Sequence, residues 1–296
     1  MKKMNKKEFD NIIRRNATMV EGQDAFGYVI DSEVYENYYS RDAFGEFIDK
    51  MSKEHSDSYE AYADGEGGEL KEKKGRYGLM PPKMASVASS SRFCYKALSD
   101  CANVLGGDDV KFEYECKIED IDAMTYPQLD AYIEGSNIFV EAKCHEIFDA
   151  HKINMSSKYA RYIVEEFGID LEEQLEEGRI VIELSKFGIM KETTRFDNKQ
   201  LICHLIGIKS EMKRLGLKEA TLVYLFFKPK TNDQFEKAQI EEIFNELYKE
   251  INIIFNSVPI RTFIEKNNIK LKVIIECSEV MEPLSNNNYF EHKFDI

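Results

Sequence analysis

Residues 127–148, PQLDAYIEGSNIFVEAKCHEIF, leave the backbone less choice than any other stretch of this chain. Gly135-Ser136 is a pair suited to the tight loop of a two-residue hairpin. Folding there sets Asp130 opposite Glu141, Gln128 opposite Lys143 and Tyr132 opposite Phe139, all on one face because strand side chains alternate. The other face carries Leu129, Ala131, Ile133, Ile138, Val140 and Ala142. All six are apolar, so burial fixes the register: a slip of one residue would drive Asp130, Glu141 and Lys143 into the core. The polar face is therefore expected to be the wet side of an antiparallel pair.

Two carboxylates directly across a hairpin, with Cβ atoms roughly 5 Å apart, repel each other unless a cation or a proton sits between them. A hard divalent ion resolves the conflict. Mg²⁺ takes oxygen ligands, commonly one or two carboxylates with waters and a phosphate oxygen. Lys143 shares the face and could orient or help deprotonate a water, or steady charge developing on a phosphate. Such a set is suited to phosphodiester hydrolysis.

The rest of the chain bounds the reading. With 296 residues, 43% of them hydrophobic and 19 Phe and 16 Tyr among them, it can bury a substantial core, which argues against disorder. No apolar run reaches the length that crosses a bilayer, and the basic start, MKKMNKKEFDNIIRRN, lacks the apolar centre of a signal peptide, so a cytoplasmic protein with no membrane partner is expected. The six cysteines form no C-x-x-C pair and read as reduced, buried thiols. A formal charge of -14 makes a poor general binder of polyanions, so any basic surface for nucleic acid has to be local.

Along the chain, residues 1–63 read as a helical extension and residues 64–296 as the main domain. The Gly- and Pro-rich stretch 64–83 reads as a loop or junction. A helix fits residues 84–102, on the spacing of Met84, Val87, Ser91, Tyr95 and Leu98. Alternation from Val110 to Ile118 predicts a half-buried strand. After the hairpin the pattern predicts a helix over 153–177, a strand over 179–184 and a helix from near Arg195. A strand over 221–227, a helix over 232–256 and a last strand over 269–277 complete it. Strands interleaved with helices imply an α/β or α+β layered fold.

Asp130, ten residues, then Glu141-Ala142-Lys143 across a hairpin resembles the active-site motif of the PD-(D/E)XK nuclease superfamily, although Asp130 follows Leu129 and the proline stands at Pro127. The order of helix, three-strand meander, helix and strand over about residues 84–230 is similar to that superfamily's core. GEGGELK, MASVASSSRFCYKAL, PQLDAYI and FVEAKCHEIF are also similar to segments of a bacterial family classed as restriction-endonuclease-like. The resemblance implies a restriction-endonuclease-like core with a mixed central sheet. It further implies that Asp130 and Glu141 bind Mg²⁺ or Mn²⁺, that Lys143 assists a metal-activated water, and that the substrate is nucleic acid, DNA before RNA. It offers Glu69 as a further acidic group, with Glu113 and Glu115 as rivals, and Gln200 with His204 as a pair one helical turn apart. Glu146 could reach a metal-bound water. Many enzymes of this fold act as homodimers.

Other residues have plainer readings. His145 and His151 fit ordinary surface or half-buried histidines, and Ser89, Ser90 and Ser91 fall inside the predicted helix, where hydroxyls usually bond back to the chain. Lys83, Arg92, Lys152, Lys158 and Arg161, interleaved with Tyr159 and Tyr162, are the basic candidates near the site, and ordinary helix-surface charge explains them as well. Two other functions remain in view: a nuclease-fold module without turnover that binds nucleic acid or protein, favoured by the acidic balance, and a hydrolase of small phosphates, which needs a closed pocket.

Overall fold

The structure is a computed structural model that describes residues 3–64, 68–76, 78–99, 105, 109–119, 121, 126–171, 175–176, 178–281 and 294–295. Helix α1 (Lys6–Glu21) opens on a capping box: the Asn5 side chain accepts from the Glu8 amide while Glu8 reaches back to the Asn5 N–H. Its buried face is Phe9, Ile12 and Ile13. Strands β1 (Phe26–Ile30) and β2 (Glu33–Tyr39) then form a hairpin around Asp31 and Ser32, whose φ values of 47° and 71° suit the two-residue turn. Helices α2 (Arg41–Glu54) and α3 (Ser56–Asp64) follow. The expectation that residues 1–63 form a helical extension is thus corrected for residues 26–39, since the alternation in YVIDSEVYENYY is that of a hairpin.

A second small hairpin, β3 (Lys73–Gly75) with β4 (Gly78–Met80), lies inside the stretch expected to be loop. Helix α4 (Ser90–Leu98) is shorter than the 84–102 expected, because Lys83–Ala85 forms a separate 3-10 turn and Ser89 caps the helix by accepting from the Arg92 amide. The expected end of that helix, with Asp100, lies outside the described residues. Strands β5 (Asp109–Glu115), β6 (Gln128–Glu134) and β7 (Ile138–Lys143) form the antiparallel meander. The helix expected over 153–177 is replaced by β8 (Ile153–Ser156), α5 (Ala160–Glu165) and β9 (Leu175–Glu176), joined with β10 (Arg179–Ile182) in a three-stranded sheet. Buried Ile153 and Met155 flanking exposed Asn154 show the period of two that decided it. The remaining elements are α6 (Asn198–Leu215), β11 (Ala220–Pro229), α7 (Gln234–Phe255), α8 (Val258–Asn267), β12 (Ile269–Ser278) and β13 (Phe294–Asp295).

The central sheet has the order β13-β12-β11-β7-β6-β5, with β7, β11 and β12 parallel and the outer pairs antiparallel. The fold is mixed α and β in layers, as the sequence pattern implies. One face meets α3 and α4, where Phe93 packs on Phe227 and Tyr62 on Phe112. The other meets α6 and α7, where Tyr114 bonds Glu211 and Phe255 packs on Tyr224. Buried side chains of the first 63 residues, among them Phe9, Phe44 and Tyr62, join the same apolar cluster as the sheet.

The β6–β7 register is the expected one: Ala131↔Val140, Tyr132↔Phe139 and Ile133↔Ile138. Gly135 and Asn137 take the left-handed backbone the turn requires, at φ 82° and 54°. The polar face of that hairpin is not a wet face, however. Phe139 is 0% and Glu141 3% exposed, because α6 covers the middle of it.

Candidate active site

The carboxylates gather where the meander strands come apart. Regular pairing of β6 with β7 ends at Ala131 and Val140, and beyond it the Ala142 amide donates to Asp130 Oδ2 at 2.7 Å in place of a backbone carbonyl. On β7, Lys143 Nζ donates to Glu141 Oε1 at 2.6 Å, while Glu141 Oε2 lies 3.7 Å from Nε2 of His204, which is buried on α6. Glu113 sits across β5 from this group with φ at 51°. That left-handed backbone, which costs a residue with a side chain about 1–2 kcal/mol, turns the strand over: Phe112 packs on Tyr62 and Tyr95, and Tyr114 on Tyr132 and Phe139. Strict alternation through Phe112 and Tyr114 is therefore broken at this residue. Gln128 Nε2 donates to Glu113 Oε2 at 3.0 Å. The fourth acid, Glu69, is 4% exposed; its Oε1 accepts from Lys83 at 2.9 Å and its Oε2 has no hydrogen-bond partner.

The charges do not balance. Burial first, then the charge of Glu141, pushes Asp130 well above the usual carboxylate range. Burial and the neighbouring Glu69 push Glu113 up to about 7, against a smaller opposing effect of Lys83. Burial alone would lower the Lys143 ammonium, but Glu141, Glu146 and Asp130 together outweigh it and hold its pKa above the ordinary value. Among the described residues four acids, Glu69, Glu113, Asp130 and Glu141, thus share two ammonium groups, those of Lys83 and Lys143. Glu146 adds a further negative charge. It accepts from the Cys144 amide at 2.7 Å, and Lys143 and His145 outweigh its burial and depress its pKa.

Beside the acids lies a pocket of about 300 Å³ lined by Glu69, Lys83, His145, Glu146, Tyr38 and a run of serines, Ser86 and Ser89 to Ser91. The serines are not in mid-helix as expected: Ser89 is the cap and Ser90 and Ser91 are in the opening turn of α4. The N-terminal segment supplies part of the wall through Tyr38 of β2, and Asp10 of α1 contacts the lining residue His145, its Oδ1 2.8 Å from His145 Nδ1. Nothing in the sequence near Tyr38 or Asp10 signals that placement, since it is purely tertiary.

Of the residues singled out from the sequence, Asp130, Glu141, Lys143, Glu69 and Glu113 come together, and His204 joins them from α6. Glu115 is exposed at the far end of β5. Gln200 is half-buried in the first turn of α6, where its amide donates to Asp197, and its side chain forms no hydrogen bond with the acids. His151 instead pairs with Asp197 at 3.3 Å. Arg92 is 3% exposed between the rings of Tyr39 and Phe47, which removes it from any substrate surface, and Tyr159 is buried. Lys152, Lys158 and Arg161 are exposed. The basic run missed in the sequence is KEKKGR, residues 71–76, whose signal is five basic residues against one acid between positions 71 and 83.

Among the described residues no group of three or more His, Cys, Asp or Glu side chains is drawn together closely enough to hold a metal by itself. Mg²⁺ needs less: one or two carboxylates and water suffice, and Asp130 with Glu141 supply them where negative charge is in excess. No protein-family model, curated protein or solved structure matches this chain. No helix of the described residues is long and apolar enough to cross a membrane.

Proposed function

We propose that the chain is a metal-dependent nuclease that hydrolyses phosphodiester bonds, with DNA as substrate and Asp130, Glu141 and Lys143 at its centre. The observation that carries the reading is the charge deficit: buried Glu69 and Glu141 and half-buried Glu113 and Asp130, on three adjacent strands and the segment before β3, are matched among the described residues by two ammonium groups, with Asp130 and Glu113 both pushed toward their neutral forms. A divalent ion held by Asp130 and Glu141 would supply the missing charge and the Lewis acidity for activating water at a phosphate. The chain's own groups do the rest. The Ala142 amide fixes the Asp130 carboxylate, and Lys143 fixes Glu141 while presenting a permanent positive charge toward an incoming phosphate oxygen. Glu113 at about 7 can take and return a proton near neutrality. His204 walls off the α6 side of Glu141 from water.

The test is cleavage of labelled single- and double-stranded DNA, with RNA of the same sequence as control, in Mg²⁺ or Mn²⁺. Wild type should cut, and Asp130→Asn and Lys143→Ala should lose activity by more than about a hundredfold, the scale of one electrostatic or acid–base group in a hydrolytic site. Cutting by either variant at the wild-type rate sinks the assignment. A wild type that binds DNA and cuts nothing points to a binding module in its place.

A further inference from the structure

We infer that His145 is the general acid of the reaction, giving a proton to the departing sugar oxygen as the phosphodiester bond breaks, with Asp10 as its positioning residue. This rests on the nuclease reading for its substrate and goes beyond it by assigning the departing side of the reaction. Asp10 Oδ1 lies 2.8 Å from His145 Nδ1; a carboxylate only accepts, so Nδ1 carries the proton and the ring's orientation is fixed. The other ring nitrogen, Nε2, has no hydrogen bond among the described residues. The side chain is 23% exposed and lines the pocket of about 300 Å³ together with Glu69, one of the four acids.

Local structure builds this pair. His145 stands two residues past the end of β7, where φ of -99° and ψ of 0° carry the chain off the strand and into the turn Glu146–Phe148. Phe148 of that turn packs on Phe9 of α1, with ring centroids 5.0 Å apart, which brings the next residue, Asp10, onto the imidazole. Helix α1 has other anchors: Lys3 pairs with Glu246, Lys6 with Asp149 and Arg15 with Glu236, and Asn16 donates to the Lys230 carbonyl. A further tie would be redundant, whereas an oriented imidazole on a polar pocket is what proton transfer requires.

The charges around the pocket give that transfer its purpose. Asp10 from α1, Glu69 from before β3 and Glu146 from the turn are acids, Tyr38 of β2 is held neutral by burial, and Lys83 and Lys143 are already paired with Glu69 and Glu141. Negative charge developing on a sugar oxygen is poorly placed among them. Water attacks phosphorus and forms one P–O bond, its proton passing to a base such as the Glu113 carboxylate. The P–O bond to the sugar breaks, the electron pair stays on the sugar oxygen, and the Nε2 proton of the imidazolium converts it to a hydroxyl. The neutral imidazole then regains a proton from solvent. Asp10 accepts from Nδ1 in both protonation states, so the ring does not turn as the proton leaves.

The experiment compares single-turnover cleavage of ordinary DNA with that of the same DNA carrying sulfur in place of the departing sugar oxygen, at the 3′ or 5′ position that the wild-type product ends identify. Each variant is set against wild type on the same substrate and with the same divalent ion. A thiolate departs without a proton, so loss of a general acid is felt on ordinary DNA alone. His145→Gln should lose about a hundredfold or more on ordinary DNA, the scale of a positioned acid, and less than about threefold on the sulfur substrate. Asp10→Asn keeps an acceptor for Nδ1 but not the charge; it should lose about tenfold on ordinary DNA and less than about threefold on the sulfur substrate, a split that a purely structural contact would not produce. Mn²⁺ binding and circular dichroism of both variants should match wild type. Should His145→Gln not fold, His145→Asn replaces it, and the Asp10→Asn comparison stands by itself. Cleavage of ordinary DNA by the His145 variant within about threefold of wild type, or an equal loss on both substrates, overturns the inference and leaves the nuclease reading intact. A wild type that cuts neither substrate sinks both.

Discussion

Replacing Glu113 with Gln tests the charge deficit without touching the acids assigned to the ion. In the folded chain this carboxyl is pushed from 4.5 up to about 7, by burial and then by Glu69. The folded state therefore keeps a proton that the unfolded chain releases at 4.5. Below that pH both states are neutral and the group costs nothing; as pH rises from 4.5 to 7 stability falls, and above 7 the whole penalty is present. At 1.36 kcal/mol per pH unit the penalty is about 3 kcal/mol. Glu113→Gln removes it while preserving the shape and a partner for Gln128, which now donates to Glu113 at 3.0 Å. Urea denaturation followed by circular dichroism in EDTA should show the variant more stable than wild type by about 3 kcal/mol at pH 8, with the difference shrinking to near zero at pH 4. Adding Mn²⁺ at pH 8 should narrow the gap, because the wild type gains from the ion's charge. A difference independent of pH, or a variant weaker than wild type throughout, refutes the electrostatic account.

Two further substitutions probe how α6 is seated behind the site. At Gly207 an added Cβ would stand 2.7 Å from Cys116 Cβ and 3.3 Å from Pro127 Cβ, so Gly207→Ala should cost about 1–3 kcal/mol in the same denaturation assay, although alanine ordinarily favours a helix. No loss of stability would mean that α6 does not approach Cys116 and Pro127, at the ends of the β5–β6 connection, that closely. Glu211 is 0% exposed and accepts from Tyr114 at 2.8 Å, from the Lys117 amide at 3.0 Å and from Arg214, so Glu211→Ala should cost about 3–5 kcal/mol by stranding the buried end of that network. A cost below about 1 kcal/mol, the worth of an exposed pair, contradicts the burial.

The β6–β7 hairpin was legible because one of its faces is wholly apolar, which admits a single register; that register holds from Ala131 to Ile133, and beyond it the strands part, so the expected ladder pairing of Asp130 with Glu141 is replaced by the bond from the Ala142 amide to the Asp130 carboxylate. Burial of the opposite face was not legible: Tyr132 and Phe139 look like tolerated aromatics until α6 is laid over them, and α6 comes from sixty residues further on. Glu113 defeated the period of two because one left-handed residue moves its neighbours to opposite faces without changing the residue count. The choice between Glu69 and Glu113 as the extra acid could not be made from spacing because both reach the site, one from a loop and one from a strand. Arg92 read as a surface cation because its helical position is compatible with either face; two aromatic rings from the N-terminal segment enclose it. In that segment the hairpin signal was present, in the alternation around Asp31-Ser32, but a run of aromatics also fits a helix.

Titration of Mn²⁺ into the metal-free protein at pH 7.5, followed by calorimetry, addresses the central assignment most directly. Asp130 and Glu141 as ligands require saturable binding by wild type that is lost, or weakened at least tenfold, in Asp130→Asn and in Glu141→Gln, both still folded. Heat that is absent in wild type, or unchanged in both variants, means that these acids do not hold an ion.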